Sequence, residues 1–382
     1  MAALKRLRVR VYDVRFGDAV LVSVPETQRT RHLLIDVGNV LSGRGGDDAV
    51  FEAVIRDVVK RTGGRVDLYV MTHEHLDHVQ GLLHADQKVY GGKLREHLRI
   101  DHAWLTGSAH PEYYDTHPDA RRKKRLVLDA YERIAKHLGA APGPFAAVLA
   151  TNNPRSTAPC VEFLRGFAEH THYVHRGFDP SGAHPFEEAR FEVWAPEEDT
   201  SEYYSTLMPS ALGLTVGSDG RLTRTAPPLP PPGVDVGAFH DLVESRARGW
   251  TDNLLAIDRA ANDTSVVLLL EWRGWRLLFA GDAELGSWRR MQREGVLQGP
   301  VHFLKVSHHG SHNGSPDEEV LRQLFAPGTG PKTTRRAVIS TCRDTYSGIP
   351  HDPTNAKLRK FARLRSTIDE PAKPWIDTWF AA

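Results

Sequence analysis

The stretch DLYVMTHEHLDHVQGLL (residues 67–83) changes character midway. Its first half is short, apolar and flanked by polar residues, and reads as a buried strand. His73, His75, Asp77 and His78 then follow within six positions. Side chains two apart in an extended segment point the same way, so His73 and His75 can reach one ion together. Asp77 and His78 lie past the bend, where they can serve a second ion a few ångströms away. Imidazole nitrogen and carboxylate oxygen are the donors suited to zinc and similar divalent ions. Three histidines and an aspartate at one strand end point to ligation rather than to a solvated loop.

Two later segments repeat the arrangement. RLLFAGD (276–282) ends on Asp282, and VHFLKVSHHGS (301–311) runs from an apolar strand into His308 and His309. Three strands thus deliver carboxylate and imidazole groups at their ends. A charge left there without a partner would cost several kcal/mol. One dinuclear centre accounts for all of them.

Around these segments the chain reads as two β-rich parts. The first forty residues form a meander of RLRVRVYDV, DAVLVSVP and RHLLIDVG, with a turn at Gly17-Asp18. DDAVFEAVIRDVVKRTGG is a helix capped by Asp47 or Asp48, with Val54, Ile55, Val58 and Val59 as its buried stripe and Gly63 at its end. PDARRKKRLVLDAYERIAKHLGA is a second helix, with Val127, Tyr131, Ile134 and Leu138 on one face and Gly139 as stop signal. FEVWAP is a strand. TSVVLLLEWRGWRLLFAGD is a hairpin turning at Arg273-Gly274. Ser315, Pro316 and Glu318 predict a capping box ahead of a helix, RRAVIST is a strand, and DPTNAKLRKFARL a final helix. The expected organisation is a single domain over 1–382. Its N-terminal half covers about 1–100 and its C-terminal half about 251–382. Between them, about 100–250 is an irregular insertion or lid holding the proline-rich loop TAPPLPPPG (225–233).

Composition excludes several classes. With 382 residues, 40% hydrophobic and 25% charged, the chain is ordinary for a globular protein, and a net charge of +1 gives no global pull toward nucleic acid or membranes. Two cysteines, Cys160 and Cys342, cannot form a disulfide scaffold or a thiolate metal cluster. The opening MAALKRLRVRVYDV lacks the apolar core of a signal peptide, and apolar runs such as SVVLLL are too short to span a bilayer. The expectation is a cytoplasmic protein with no membrane partner.

THEHLDH matches the HxHxDH signature of the metallo-β-lactamase superfamily. More narrowly, the chain resembles the metallo-hydrolase domain at the C-terminal end of the ComEC competence proteins. The resemblance rests on DVRFGDAVLV, LLIDVG, NDTSVVLLLEWRGWRLLFAGD, LKVSHHGS and AVIST…YSGIPH. It implies an α+β chain folded as a four-layered αββα sandwich, with a two-metal site along one edge. By the family pattern, His73 and His75 bind the first metal and Asp77 and His78 the second, with Asp282 bridging. One of His308 and His309 completes the second site. Zinc is the first choice for the two divalent ions, and manganese suits the same donors. The superfamily's further histidine for the first metal has no motif here. His110, His117, His170, His172 and His175 are candidates, and His110 comes first because it follows a strand end. Gly348-Ile349-Pro350-His351 stands where the ComEC-type domains often carry GHPH, and Arg15-Phe16 where small or amide residues are usual. Asn262, Asp263 and Ser265 match a family NDxS element near the site, a substrate-contact reading that stands beside that of a self-bonded turn.

The resemblance implies a metal-dependent hydrolase using a metal-activated hydroxide, with Asp77 at the catalytic centre and His309 or His351 protonating the leaving group. It points to phosphodiester substrates, nucleic acid or nucleotide, hence a nuclease or phosphodiesterase. Arg121–Arg125 (RRKKR) at a helix N-terminus offers local support, since bound phosphate would relieve its conflict with the macrodipole. Two other readings share the ligands. An amide, thioester or lactone hydrolase should line its site from 100–250 with apolar rather than basic residues. A non-catalytic regulatory module should lack a third ligand for the first metal.

Overall fold

The computed structural model describes residues 5–39, 49–138, 146–204, 214–217, 222–224, 252–327, 334–342, 348–370 and 373–382. The first part of the chain builds β1 (Arg6–Tyr12), β2 (Ala19–Pro25), β3 (Thr30–Val37), α1 (Ala49–Thr62), β4 (Arg65–Met71), α2 (Leu76–His84) and β5 (Arg99–Thr106). Then come α3 (Tyr113–Thr116), α4 (Pro118–Leu138), α5 (Ala146–Thr151), α6 (Pro154–Phe167), β6 (His170–Val174) and β7 (Ala189–Ala195). The short β8 (Leu214–Val216) and β9 (Leu222–Arg224) pair only with each other. After a helix α7 at 252–262 follow β10 (Val267–Trp272), β11 (Trp275–Phe279), α8 (Leu285–Arg293), β12 (Phe303–Lys305) and α9 (Glu318–Leu324). The chain ends with β13 (Arg336–Ile339), α10 (Asp352–Arg359), β14 (Arg363–Ser366) and β15 (Trp375–Ala381).

Two sheets stack face to face. One runs β15-β1-β2-β3-β4-β5-β6 and the other β14-β13-β12-β11-β10-β7. Their facing residues, among them Val9, Val22, Ile35, Leu68 and Val70 against Leu268, Leu270, Phe279, Phe303 and Val338, form the central core. The outer face of the first sheet buries Leu21, Leu34, Tyr69 and Met71 under α1, α2 and α6. That of the second buries Leu269, Leu278, Leu304 and Ile339 under α8, α9 and α10. The architecture is therefore the four-layered αββα sandwich. Strand β4 shows why its sequence carries no polar alternation: Leu68 and Val70 enter one core while Tyr69 and Met71 enter the other. A small separate cluster joins α4, α5 and α7 through Tyr131, Ile134, Val148, Leu254 and Ile257.

Several sequence expectations meet the structure directly. The 272–275 hairpin turns through Arg273 (φ 46°) and Gly274 (φ 77°), the two left-handed residues a type I′ turn needs. Val127, Tyr131 and Ile134 are buried on α4 as its periodicity requires. The capping box at Ser315 is corrected: Asp317 is the cap of α9, its carboxylate accepting the Val320 N–H at 3.1 Å. Ser315 is instead buried with its Oγ directed at the Pro316 carbonyl, and Asp317, next to the first helical residue, captures the free N–H. The last helix ends at Arg359, and 363–366 is strand β14 rather than its continuation, because pairing with β13 uses that backbone. Residues 100–250 are not one irregular insertion, since β5 and β6 extend the first sheet and β7 edges the second. Asp47, Asp48, Gly139, the 225–233 loop and most of 197–250 lie outside the described residues.

Candidate metal centre

Strand ends assemble the site. Strand β4 stops at Met71, and Thr72, His73 and His75 lead into α2, whose first turn carries Asp77 and His78. Two loops clamp that turn: Asp18 N–H donates to Asp77 O at 3.1 Å, and Gly38 N–H to Asp18 O at 3.0 Å. A Cβ on Gly38 would stand 2.0 Å from the Asp77 carbonyl carbon, so only glycine lets the end of β3 pass this close. The segments DVRFGD and LLIDVG thus matter for what they do to Asp77 and His78.

Asp77, His78, Asp282 and His309 are all buried, and each offers one donor atom lying within 4.8 Å of the others. Asp282 Oδ2 is 3.3 Å from His78 Nε2 and 3.4 Å from His309 Nε2, and Asp77 Oδ2 is 3.3 Å from His309 Nε2. The tautomers follow from hydrogen bonds behind the rings. His78 Nδ1–H donates to Asp36 Oδ2 at 2.8 Å, and His309 Nδ1–H to the Ser340 carbonyl at 3.0 Å. Thr72 donates its hydroxyl proton to Asp36 (2.7 Å) and so accepts from His73 Nδ1–H (3.0 Å). In all three rings Nε2 is buried without a well-aligned hydrogen bond, as is Asp77 Oδ1. Orphaned polar atoms this deep require a ligand, and two imidazoles with two carboxylates are a donor set that divalent transition ions take.

The electrostatics agree. Burial opposes ionisation of Asp282, yet His309 and His78 hold its carboxyl well below the usual carboxylate range. Asp77 is likewise lowered against burial by His78 and His309. Burial works against a charged His309 too, but Asp282 and Asp77 push its pKa up to about 10. The space between the carboxylates is one where positive charge is strongly favoured. Backbone strain marks the same place. Asp36, His308 and His309 have φ of 51°, 47° and 52°, a left-handed conformation costing ~1–3 kcal/mol per non-glycine residue.

The structure separates the two adjacent histidines. His309 joins the cluster, whereas His308 turns its Nδ1 to within 3.5 Å of Glu284 Oε1. His73 and His75 have ring centroids 4.6 Å apart, and His73 lies 4.2 Å from His78. His75 Nε2 bonds to Asn152 Oδ1 at 2.9 Å, and Asn152 in turn donates to Asp258 at 2.6 Å. Asn152 and Asp258 therefore stand beside His75 where a third histidine was sought. His110 is not brought there: its Nδ1 accepts the Glu112 N–H and its ring lies edge-on to Tyr173. His117 stacks on Tyr113, His170 and His172 pack with His102, and His175 bonds the Arg176 carbonyl. His351 bonds Thr354 at the start of α10, with its ring 5.0 Å from His312.

The NDTS element serves the scaffold. Asp263 accepts from Ser287 (2.7 Å) and pairs with Arg290 (3.1 Å), and Ser265 Oγ accepts the Asp282 N–H (3.1 Å). Asn262 donates to Glu284 at 3.0 Å. These side chains hold the Asp282 loop. Behind His309, Lys305 is buried and its Nζ meets Asp18 Oδ2 at 2.6 Å. Asp18, Asp36, Asn152, Asp258, Glu284 and Lys305 escaped the sequence reading. Asp18, Asp36 and Lys305 do sit inside the resembling segments, the one signal available; the others are placed by tertiary contacts alone.

A cavity of about 490 Å³ opens over Asp77, Asp282 and His308, walled by Phe16, Leu255 and Ile349. Among the described residues, no helix is long and apolar enough to cross a membrane.

No family model matches the chain, and no curated protein matches it. Among solved structures, it is similar to the metallo-β-lactamase fold protein YhfI from Bacillus subtilis, with 8% identity over 98% of this chain and 100% of that one and a TM-score of 0.40. It is also similar to a diphosphatase from the PhnP family (11% identity, 96% and 85% coverage, TM-score 0.37). A third similar structure is Zn(2+)-bound PqqB from Methylobacterium extorquens (12% identity, 92% and 85% coverage, TM-score 0.33). Likenesses this distant carry nothing about chemistry or substrate, which rest on the side chains of this chain.

Proposed function

We propose that this chain is a metal-dependent hydrolase. The observation that carries the reading is the convergence of His78 Nε2, His309 Nε2 and Asp77 Oδ1, none with a well-aligned hydrogen bond, on Asp282 in one buried cluster of four residues. Asp77, His78, Asp282 and His309 would hold a divalent ion, with His73 Nε2 adjacent. Such an ion supplies a Lewis acid and lowers the pKa of water toward neutrality. The remaining roles belong to the protein. Asp36 and the Ser340 carbonyl fix the tautomers of His78 and His309. His308, lining the cavity with Glu284 behind its Nδ1, is placed to pass a proton to a leaving group.

Phosphodiesters and carboxylic acid derivatives are both open to this chemistry. The sequence resemblance favours a phosphodiesterase or nuclease. The basic run gives it less support than expected, because four of its five cations have partners within the protein. Arg121 pairs with Asp115, Arg122 with Asp119 and Lys124 with Glu74, and Lys123 donates to the Ser201 carbonyl. The test is a screen of zinc- and manganese-loaded protein on bis-p-nitrophenyl phosphate, single-stranded DNA, RNA, nitrocefin and p-nitrophenyl esters. Asp77→Ala and Asp282→Ala should abolish whatever turnover is found while leaving the circular-dichroism spectrum intact. Unchanged turnover in either variant would sink the proposal.

A further inference from the structure

A second cavity, of about 500 Å³, lies beside His75. This is within the ~300–1,000 Å³ range of small-molecule sites. Its wall is largely apolar: Val127, Leu128 and Tyr131 from α4, Val161 from α6 and Ile257 from α7. His75 also lines the cavity over Asp77 and Asp282, so one side chain borders both spaces.

Charge narrows what can occupy them. In the second cavity the ionised groups are already matched, Lys124 with Glu74 at 3.6 Å and Arg165 with Glu162 at 2.6 Å. Over the candidate centre, the described lining holds four carboxylates, Asp77, Asp258, Asp282 and Glu284. The one arginine there, Arg259, is 3.3 Å from Glu284. A cationic fork commonly assists phosphodiester recognition, and this lining directs its arginine to a carboxylate. Exposed apolar surface sits at the same places. Of three large hydrophobic side chains exposed among the described residues, Leu128 borders the second cavity and Leu255 the first. An apolar wall of this kind suits an apolar ligand.

We propose that the substrate is an uncharged carboxylic ester whose apolar acyl arm lies in the cavity beside His75, an inference that rests on the hydrolase reading. In the reaction, water oxygen bonds to the carbonyl carbon and the bond from that carbon to the alkoxy oxygen breaks. One water proton ends on the departing alcohol, and the other leaves the acid product. No further reactant is consumed.

The experiment compares the zinc-loaded full chain on p-nitrophenyl acetate, p-nitrophenyl octanoate and bis-p-nitrophenyl phosphate. Alongside it, N-methyloctanamide is titrated calorimetrically into zinc-loaded and zinc-depleted protein. Each buried methylene is worth about fourfold, so burial of three to four of the six methylenes that octanoate adds to acetate should raise kcat/KM by about 100-fold. Ala158 is exposed on α6 and lines the cavity, so A158F fills the space without disturbing a core. It should cut the preference below about tenfold and weaken amide binding by a similar factor, with zinc content equal to the parent. A preference under about threefold, or equal amide binding in A158F, overturns the inference. Cleavage of the phosphodiester with inert esters overturns it too, yet leaves the hydrolase reading standing. If nothing is hydrolysed and no zinc is taken up, the hydrolase reading and the ester assignment fall together, and the amide titration then tells whether the cavity takes an acyl arm.

Discussion

Replacing Asp36 with asparagine isolates the part of the site that no ligand list contains. Asp36 is fully buried, accepts the Thr72 N–H on Oδ1 (2.8 Å) and receives the Thr72 hydroxyl and His78 Nδ1–H on Oδ2. Its φ of 51° is one that asparagine adopts more readily than most residues, so the backbone should survive. Oδ1 must still accept from Thr72, which puts the new amide NH₂ against His78 Nδ1. Two donors cannot face each other, so the imidazole must shift its proton to Nε2, the atom aimed at Asp282. Losing a partner of this kind typically lowers metal affinity 10–100-fold, or about 1.4–2.7 kcal/mol. Competition against a chromophoric zinc chelator measures that loss, with a melting curve of metal-depleted protein as the folding control. A folded D36N variant binding zinc within twofold of the parent would refute both the orienting role of Asp36 and the ligand role of His78.

Two other predictions concern the fold. Lys305→Met should destabilise the protein by about 3–5 kcal/mol in urea titrations, since it strands the buried Asp18 carboxylate; the double variant with Asp18→Asn should recover much of this, and a loss below about 1 kcal/mol would contradict it. His32 and His184 are both held down to about 4, chiefly by burial, with Asp67 pulling against it at His32 and His102 adding to it at His184. The unfolded chain therefore binds these protons first as pH falls, so their neutral burial costs nothing above 6.5 and destabilises progressively from 6.5 toward 4. Urea midpoints of H32Q/H184Q should fall less steeply than the parent's across that window and run parallel to it above pH 7.

What the sequence determined is local. Period-two patterning, the Arg273-Gly274 turn and the abrupt passage from apolar strand to histidines at 71–78 and 306–309 are properties of neighbouring residues, and a local reading finds them. Strand β4, apolar on both faces, already implied a layer above and below it. Other features were not legible because they depend on which segments meet. β6 and α7 looked irregular, since HTHYV carries histidines and DNLLAIDRAAN breaks its apolar residues with Asp, Arg and Asn; pairing and packing made them regular. His308 and His309 are adjacent in sequence, and only the left-handed backbone at both sends one to Asp282 and the other to Glu284. Asn152 and Asp258, separated by 106 positions and carried on or beside different helices, met at His75 through the α4–α5–α7 cluster. Sequence thus supplied the donors and the strand ends that present them. Long-range packing decided which donors share a space, because distance between segments is set by the core and not by the spacing along the chain.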